Sequence, residues 1–236
     1  MTSSRLLTIG FALSLLTLTF RSNAQVNYQQ FANKKLYFGI TLGLNYSDFK
    51  VVQSNEFIYH DSITSITSTK GPGFNLGIIS NLKFGEYFDL RFIPALSFAE
   101  KNLNYRFIDG LNDRKRVESI YLEFPVHLRY LSQPINDMRL YVLSGMKYGL
   151  DFASNKNARK AKDLITISPN DISFEYGFGI QFFFPLFIFS PEIRVSHGLF
   201  NIHTPTRDKK KVETMQSEVI EKLLSRTFLI SFHFEG

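Results

Sequence analysis

The sequence predicts an all-β fold: an eight-stranded antiparallel up-and-down transmembrane β-barrel with a polar, side-chain-filled interior. Two observations predict it. Apolar and polar residues alternate along eight segments, and short and long links alternate between those segments. The composition agrees, because 25 Phe among 236 residues is high for a soluble protein, while mean hydropathy is too low for a bundle of membrane helices. In a membrane barrel only every second strand residue must be apolar, which reconciles the two facts.

The alternation is clearest in the first and fourth segments. From Leu36 to Tyr46 the even positions are Leu, Phe, Ile or Tyr, and the odd positions are mostly Gly, Thr or Asn. In "YLEFPVHLRY" the charged or basic residues Glu123, His127 and Arg129 alternate with Leu and Phe. The remaining predicted strands lie at about 73–84, 88–98, 139–152, 173–182, 189–199 and 225–234.

The two faces of each strand fit a membrane barrel better than a soluble one. An eight-stranded barrel has an interior just wide enough for side chains, so rows of Phe would overfill it, whereas Gly, Ser and a modest set of charges would fit. Arg or Lys facing lipid at mid-membrane costs roughly 2–4 kcal/mol each. We therefore predict that the charged face points inward. A soluble ligand-binding barrel, with the apolar face inward, is the alternative.

The links between the predicted strands give independent support. Those at Gly85, at "SQPIND" and at Pro185 are short. Strict short–long alternation is typical of a barrel with one rim in the periplasm and the other outside the cell, and an even strand number places both termini in the periplasm. Within the last long link, "KVETMQSEVIEKLLSR" has the spacing of a short amphipathic helix. The long links are predicted at about 51–71, 105–117, 153–171 and 201–224.

Three prolines interrupt the predicted strands. Pro94 and Pro191 predict a bulge or a strand end, because proline lacks the N–H that a ladder needs. Pro125 lies in the middle of the fourth strand on its inward face. We expect a bulge there to shift the register.

The N-terminus predicts export. Arg5 precedes the apolar run Leu6–Phe20, and Ser22–Ala24 offers small residues for cleavage before Gln25. A retained anchor helix is the alternative. The predicted organisation is a signal peptide (1–24), a periplasmic lead-in (25–35) and an outer-membrane barrel domain (36–236). The chain has no Cys, which excludes disulfides, thiolate metal sites and a Cys nucleophile.

We interpret the inward charges as a mutually neutralising network, because unpaired charges in a narrow interior are costly. Catalytic carboxylates or the selectivity ring of a pore are the alternatives. No catalytic, cofactor or metal site is predicted: Ser196 and His197 are adjacent and so point to opposite faces, and Glu123 and His127 are too far apart along a strand to share a metal. The predicted network consists of Arg91, Glu123, Arg129, Lys147, Glu175, Glu192 and Arg194.

The net charge of +6 is concentrated in three basic runs within the predicted long links. These runs are candidates for contact with lipopolysaccharide phosphates or with a partner's acidic surface, and solvated loops are the alternative. Nucleic acid is not an expected partner, since the protein is predicted to be exported and lacks a basic folded platform with stacking aromatics. The candidate contact residues are Arg114, Lys115, Arg116, Lys156, Arg159, Lys160, Lys162, Lys209, Lys210 and Lys211.

Three segments resemble a known family. They are "KKLYFGITLGLNYSDFKV", "ESIYLEFPVHLRY" and "MRLYVLSGMKYGLDFAS". They resemble the PorT (SprT) proteins of the type IX secretion system of Bacteroidota, within a broader outer-membrane β-barrel group of that phylum. The "LE-P--L-Y" pattern belongs to the broad group, whereas the first-strand segment and "GMKYGLDFAS" point more narrowly to PorT.

This resemblance implies a non-enzymatic accessory component that helps cargo with C-terminal sorting domains to cross the outer membrane. Its implied partners are other outer-membrane secretion proteins and outer-membrane lipid, with no cofactor. A lipid-modifying enzyme and a structural or adhesive surface barrel are the alternatives.

Overall fold

The computed structural model describes residues 27–54, 63–108, 112–152, 167–203 and 220–236. Within them, a short helix α1 (Tyr28–Ala32) precedes nine strands of one antiparallel sheet. Strand β1 pairs with both β2 and β9, so the strand pairings form a closed circuit. No described helix is long and apolar enough to cross a membrane. The strands are β1 Leu36–Gln53, β2 Ile63–Lys83, β3 Phe88–Phe92, β4 Ala95–Phe107, β5 Asn112–Leu131, β6 Met138–Asp151, β7 Asn170–Phe183, β8 Ile188–Gly198 and β9 Ile220–Glu235.

Strands β3 and β4 are two halves of one barrel strand, so the predicted eight-stranded barrel is confirmed. Both halves pair with β2 and with β5, and the register is the same on either side of the break at Pro94. A second proline, Pro191, likewise interrupts the β7–β8 pairing without changing its register. In both places the proline removes one ladder donor and leaves the strand order intact.

The expected register shift at Pro125 is wrong. Pro125 pairs with Lys147, and the register is unbroken on both sides of that pair. The Pro125 carbonyl accepts a hydrogen bond from the N–H of Ile93, which lies between β3 and β4. The N–H and C=O of one residue in an antiparallel strand face the same neighbour. The N–H that Pro125 lacks would therefore face the break between β3 and β4. The pairing of β5 with β6 is not affected.

A belt of apolar side chains covers the outside of the barrel, as the sequence predicts. On β1 it runs from Leu36 to Tyr46, in line with the roughly 9–11 residues that a strand needs to cross the hydrocarbon. Aromatic side chains lie at its margins; at one end the Phe88 and Tyr130 rings lie with 5.3 Å between their centroids, tilted by 54°. The soluble alternative is wrong, because the apolar face points outward. The exposed apolar residues of the belt include Phe38, Ile40, Leu42, Leu44, Leu76, Ile78, Leu128, Leu140, Val142 and Phe178.

Beyond this belt, at the long-loop end, the pattern of the strands inverts. On β1 the next outward residue after Tyr46 is Asp48, whose carboxylate accepts two hydrogen bonds of 3.0 Å from Arg226. The inward residue beside it, Phe49, is 1% exposed. The barrel thus continues past the membrane as an ordinary water-exposed β-structure with an apolar interior. This upper core consists of Phe49, Ile66, Leu103, Tyr105, Ile167, Ile202, Ile220 and Leu223.

The upper core explains why the predicted long links are too long. Strand β1 continues to Gln53, and β2 already begins at Ile63. The basic run at 113–116 lies on β5 and not in a loop. The helix predicted in the last link is also wrong at its described end, because Ile220–Arg226 belongs to β9 and pairs with β1. The inward residues of these strand extensions are apolar and pack in the upper core. This packing stabilises the strands beyond the membrane.

At the short-turn end, helix α1 closes the barrel. Phe31 and Tyr28 pack against Tyr37, Phe183 and Ile188 at the base of the interior. The Tyr28 ring meets the Phe183 ring edge-on, with 5.1 Å between ring centroids. Part of the predicted lead-in therefore acts as a plug at the barrel base.

We expect Ile40→Arg to destabilise the barrel in lipid by roughly 2–4 kcal/mol, because Ile40 lies in the middle of the apolar belt. Val52→Arg, on the same face of β1 but beyond the belt, is the matched control and should change stability little. Urea unfolding in lipid vesicles, followed by tyrosine fluorescence, measures both. Equal effects of the two variants would contradict the position of the belt.

We expect Leu223→Ala to cost about 2–5 kcal/mol of unfolding free energy, since Leu223 is fully buried in the upper core. The neighbouring Lys222 faces solvent, and Lys222→Ala should be close to neutral. The same unfolding measurement applies. An unchanged free energy of unfolding for Leu223→Ala would show that Leu223 of β9 is not packed in a core.

Candidate functional site

The interior charges form a network that begins near the base with Arg129. Its guanidinium donates hydrogen bonds to both oxygens of Asp89, each at 2.5 Å, and one of 2.8 Å to the Tyr37 hydroxyl. Asp89 and Arg129 are direct partners across the β3–β5 ladder. The Tyr141 ring lies near two guanidiniums, 4.8 Å from that of Arg129 and 5.5 Å from that of Arg91. This base layer is closed to bulk solvent, because Asp89, Arg91 and Arg129 are all fully buried.

Glu192 is the centre of the network. Its Oε2 accepts hydrogen bonds from Arg91 Nη1 at 2.9 Å and from the Tyr141 hydroxyl at 2.8 Å. Its Oε1 lies 3.5 Å from Arg194 Nη1, and His233 Nε2 lies 3.4 Å from Oε2. Four groups from four different strands therefore converge on one carboxylate.

Arg91 joins this centre to the end of the chain. Its Nη2 donates to Glu235 Oε1 at 2.5 Å, and its Nε donates to the side-chain carbonyl of Asn81 at 2.9 Å. Asn81 in turn donates to the other oxygen of Glu235. The three hydrogen-bond partners of this guanidinium lie on β2, β8 and β9. Arg91 therefore connects three other strands through one side chain.

Glu175 organises the next layer towards the long loops. It lies 2.7 Å from His127 Nε2, 3.4 Å from Lys147 Nζ and 3.5 Å from Arg194 Nε. Lys147 also donates to Glu123 Oε1 at 2.9 Å. Ion pairs and hydrogen bonds thus run without a break from Glu123 through Lys147, Glu175, Arg194 and Glu192 to Arg91 and Glu235.

Above this network the interior remains filled. Lys101 donates to Ser225 Oγ at 2.8 Å and to the Tyr121 hydroxyl at 3.3 Å, and its ammonium lies 4.8 Å from the centroid of the Phe49 ring. The cavity beside it measures about 10 Å³, enough room for roughly one water. The upper core follows directly. Side chains therefore occupy the described interior at every level: α1 at the base, the charge network in the middle and the upper core at the top.

The structure places all seven predicted network residues inside the barrel, and six of them touch one another. The seventh, Arg129, pairs instead with Asp89, which the predicted set did not include. Glu235 was also missed, although it continues the inward alternation of β9 after Ser231 and His233. That alternation was the signal that could have found it.

A second feature is a pocket of about 780 Å³ at the short-turn end. It lies between α1, the β2–β3 turn and the β5–β6 turn. Sequence reasoning missed it, because its basic residues occur singly at strand ends far apart in the chain. The lining residues are Tyr28, Ala32, Asn33, Lys34, Lys35, Lys83, Gly85, Glu86, Tyr87, Gln133, Pro134 and Arg139.

The predicted loop contacts have a mixed outcome. Arg114, Lys115 and Arg116 lie on β5 beyond the apolar belt. Arg114 donates to the Asn102 side chain at 3.3 Å, and Arg116 lies 3.5 Å from Glu100 and 3.8 Å from Glu118. Two carboxylates thus partly neutralise this run. The others, Lys156, Arg159, Lys160, Lys162, Lys209, Lys210 and Lys211, lie outside the described residues.

Comparison with known proteins decides the family. Residues 23–204 match the family model of the outer membrane protein beta-barrel domain. The chain belongs to this outer-membrane β-barrel family. Its location is therefore the outer membrane, in agreement with the apolar belt. No curated protein matches the chain.

Two kinds of solved outer-membrane protein are similar to this barrel at a low level. OprG from Pseudomonas aeruginosa has 12% identity, a TM-score of 0.45, and coverage of 85% of this chain and 92% of its own. Ail from Yersinia pestis, solved alone and with the heparin analogue sucrose octasulfate, has 15% identity, a TM-score of 0.36, and coverage of 86% of this chain and 100% of its own. The family assignment rests on the family model and not on these similarities.

We expect Glu192→Gln to cost about 3–5 kcal/mol of unfolding free energy, because removing one charge from a buried ion cluster leaves its partners uncompensated. Glu118→Gln, with the same chemical change on an exposed side chain, is the matched control and should be nearly neutral. Urea unfolding in lipid vesicles measures the difference. Superimposable curves for wild type and Glu192→Gln would show that the network does not hold the barrel together.

Proposed function

We propose that this outer-membrane barrel is an accessory component of type IX protein secretion, needed for export of cargo with C-terminal sorting domains, and that it acts by protein contacts and not by catalysis. The observation that carries the contact mechanism is the filled interior. A barrel whose described interior is packed from α1 to the upper core offers no conduit for a protein, so its action belongs to its surfaces and ends.

The assignment to type IX secretion is supported by the three segments that resemble PorT. They form β1 with the two lysines before it, the membrane half of β5, and β6. They therefore contribute to the base, the charge network and the wall of the barrel alike. The resemblance concerns the folded membrane domain and not a single surface loop.

The two kinds of link support the orientation that we propose for the barrel. Short turns in outer-membrane barrels face the periplasm, and longer connections face the cell exterior. In this orientation both termini and the basic pocket lie on the periplasmic side. The strand extensions around the upper core then project beyond the outer leaflet, so the protein offers contact surfaces on both sides of the membrane.

The geometry gives a lipid-modifying enzyme little support. Ser196 faces inward and is 4% exposed, whereas His197 faces outward and lies 3.2 Å from the Tyr176 hydroxyl. A hydroxyl nucleophile needs a base within hydrogen-bond reach. These two adjacent side chains lie on opposite sides of the barrel wall and cannot supply that pair.

Deletion of the gene should cause cargo with C-terminal sorting domains to accumulate in the periplasm and to be lost from the cell surface. The intact gene should restore export. Cargo is measured by fractionation and surface labelling, and an outer-membrane protein without a sorting domain serves as the control for general envelope damage. Normal cargo export in the deletion strain would refute the proposed function.

A further inference from the structure

The short-turn-end pocket differs from the interior in its charge balance. In the interior network, Arg91, Arg129, Lys147 and Arg194 each form at least one ion pair with a carboxylate. The pocket brings together four cations and a single carboxylate, Glu86. Among the described residues, no salt bridge joins any of these cations to a carboxylate. The four cations are Lys34, Lys35, Lys83 and Arg139.

Neutral groups hold the two inner cations in place. Arg139 is 5% exposed, and its guanidinium donates to the backbone carbonyls of Ser132, at 2.6 Å, and of Glu86. The Lys83 ammonium donates to the backbone carbonyl of Phe31 at 2.6 Å and lies 5.2 Å from the centroid of the Tyr37 ring. Carbonyls and rings orient these cations, and within the described part of the chain neither cation forms an ion pair with a carboxylate. A buried guanidinium beside a second cation favours an anion in the adjoining space.

The shape of the pocket indicates what kind of anion fits. Arg139 and Lys83 occupy inward positions of β6 and β2, whereas their neighbours Leu140 and Leu82 face lipid. The cations therefore face the end of the barrel and not the bilayer. Four cations around a space of about 780 Å³ suit several carboxylates along a chain better than one compact headgroup. Tyr28, Tyr87 and Pro134 add flat surfaces, and amide side chains line the same space.

We propose that this pocket binds an acidic peptide segment of a periplasmic partner protein. Carboxylates of the segment pair with Arg139 and Lys83 inside the pocket and with Lys34 and Lys35 at its edge. The proposal rests on the proposed function for the compartment and for the existence of a partner. The anion selectivity itself follows from the charges of the pocket.

The test uses the mature protein in nanodiscs of zwitterionic lipid and a fluorescein-labelled hexa-aspartate peptide, with hexa-asparagine as the neutral control. Fluorescence anisotropy at physiological salt should show saturable binding of hexa-aspartate alone. Arg139→Gln and Lys83→Gln should each weaken binding by about tenfold or more, since each removes a partly buried partner of a carboxylate. Lys50→Gln and Lys222→Gln make the same charge change at the opposite end and should bind like wild type.

Four outcomes would overturn the proposal: no binding by wild type, binding of hexa-asparagine with equal affinity, equal weakening by the opposite-end controls, or displacement of the peptide by phosphatidylglycerol or by inorganic phosphate. The last would assign the pocket to a phosphate group. Should Arg139→Gln fail to fold, the exposed pair Lys34→Gln and Lys35→Gln decides the question. Because the assay does not involve secretion, peptide binding with normal cargo export would refute the proposed function alone, and absent binding with blocked export would refute this inference alone.

Discussion

The pairing of β1 with β9 closes the sheet, and the rest of the structure depends on that closure. The ladder runs from Gly39 and Glu235 to Gln53 and Ile220. In hydrocarbon an open strand edge would leave backbone N–H and C=O groups without partners, at several kcal/mol each. The same ladder brings the inward face of β9 beside β1 and β2, which places Glu235 within reach of Arg91. Strand β9 therefore supplies hydrogen-bond partners to the backbone of β1 and a carboxylate to the buried Arg91.

Closure with eight strands fixes a narrow interior, and that width determines which side chains it accepts. Long charged side chains cross it only where neighbouring positions are small. At Gly179, for example, a Cβ would fall onto the Tyr141 hydroxyl, which binds Glu192. The lipid excludes charge from the outer face, so the charged side chains of the membrane-spanning part lie in the interior. Beyond the lipid the outer face can carry charge, and the interior is apolar as in a water-soluble protein.

The filled interior of the described barrel leaves its two ends and its outer surface exposed to other molecules. The two ends are chemically different. The described part of the long-loop end presents paired charges such as Asp48 with Arg226, and Glu100 and Glu118 around Arg116. Among the described residues, the short-turn end presents four cations that form no ion pair with a carboxylate, around an open pocket. Within the part of the chain that the structure describes, this asymmetry gives the short-turn end, where α1 and the last residues of β9 lie, an excess of positive charge around the pocket.

The sequence by itself determined the fold class, the strand faces and the inward position of residues such as Arg91, Arg129 and Glu192, because period-2 alternation is a local property that lipid enforces on every strand. It did not determine where the strands end beyond the lipid. There the outward residues become polar and the inward residues apolar, so the alternation no longer matches that of the membrane part. Nor did it determine which charges meet: Arg91 and Glu235 are 144 residues apart and pair only because closure sets their register. The basic pocket has the same origin. Lys83 and Arg139 lie at the ends of strands far apart in the sequence. They share a pocket only because the closed barrel brings these strand ends and α1 together.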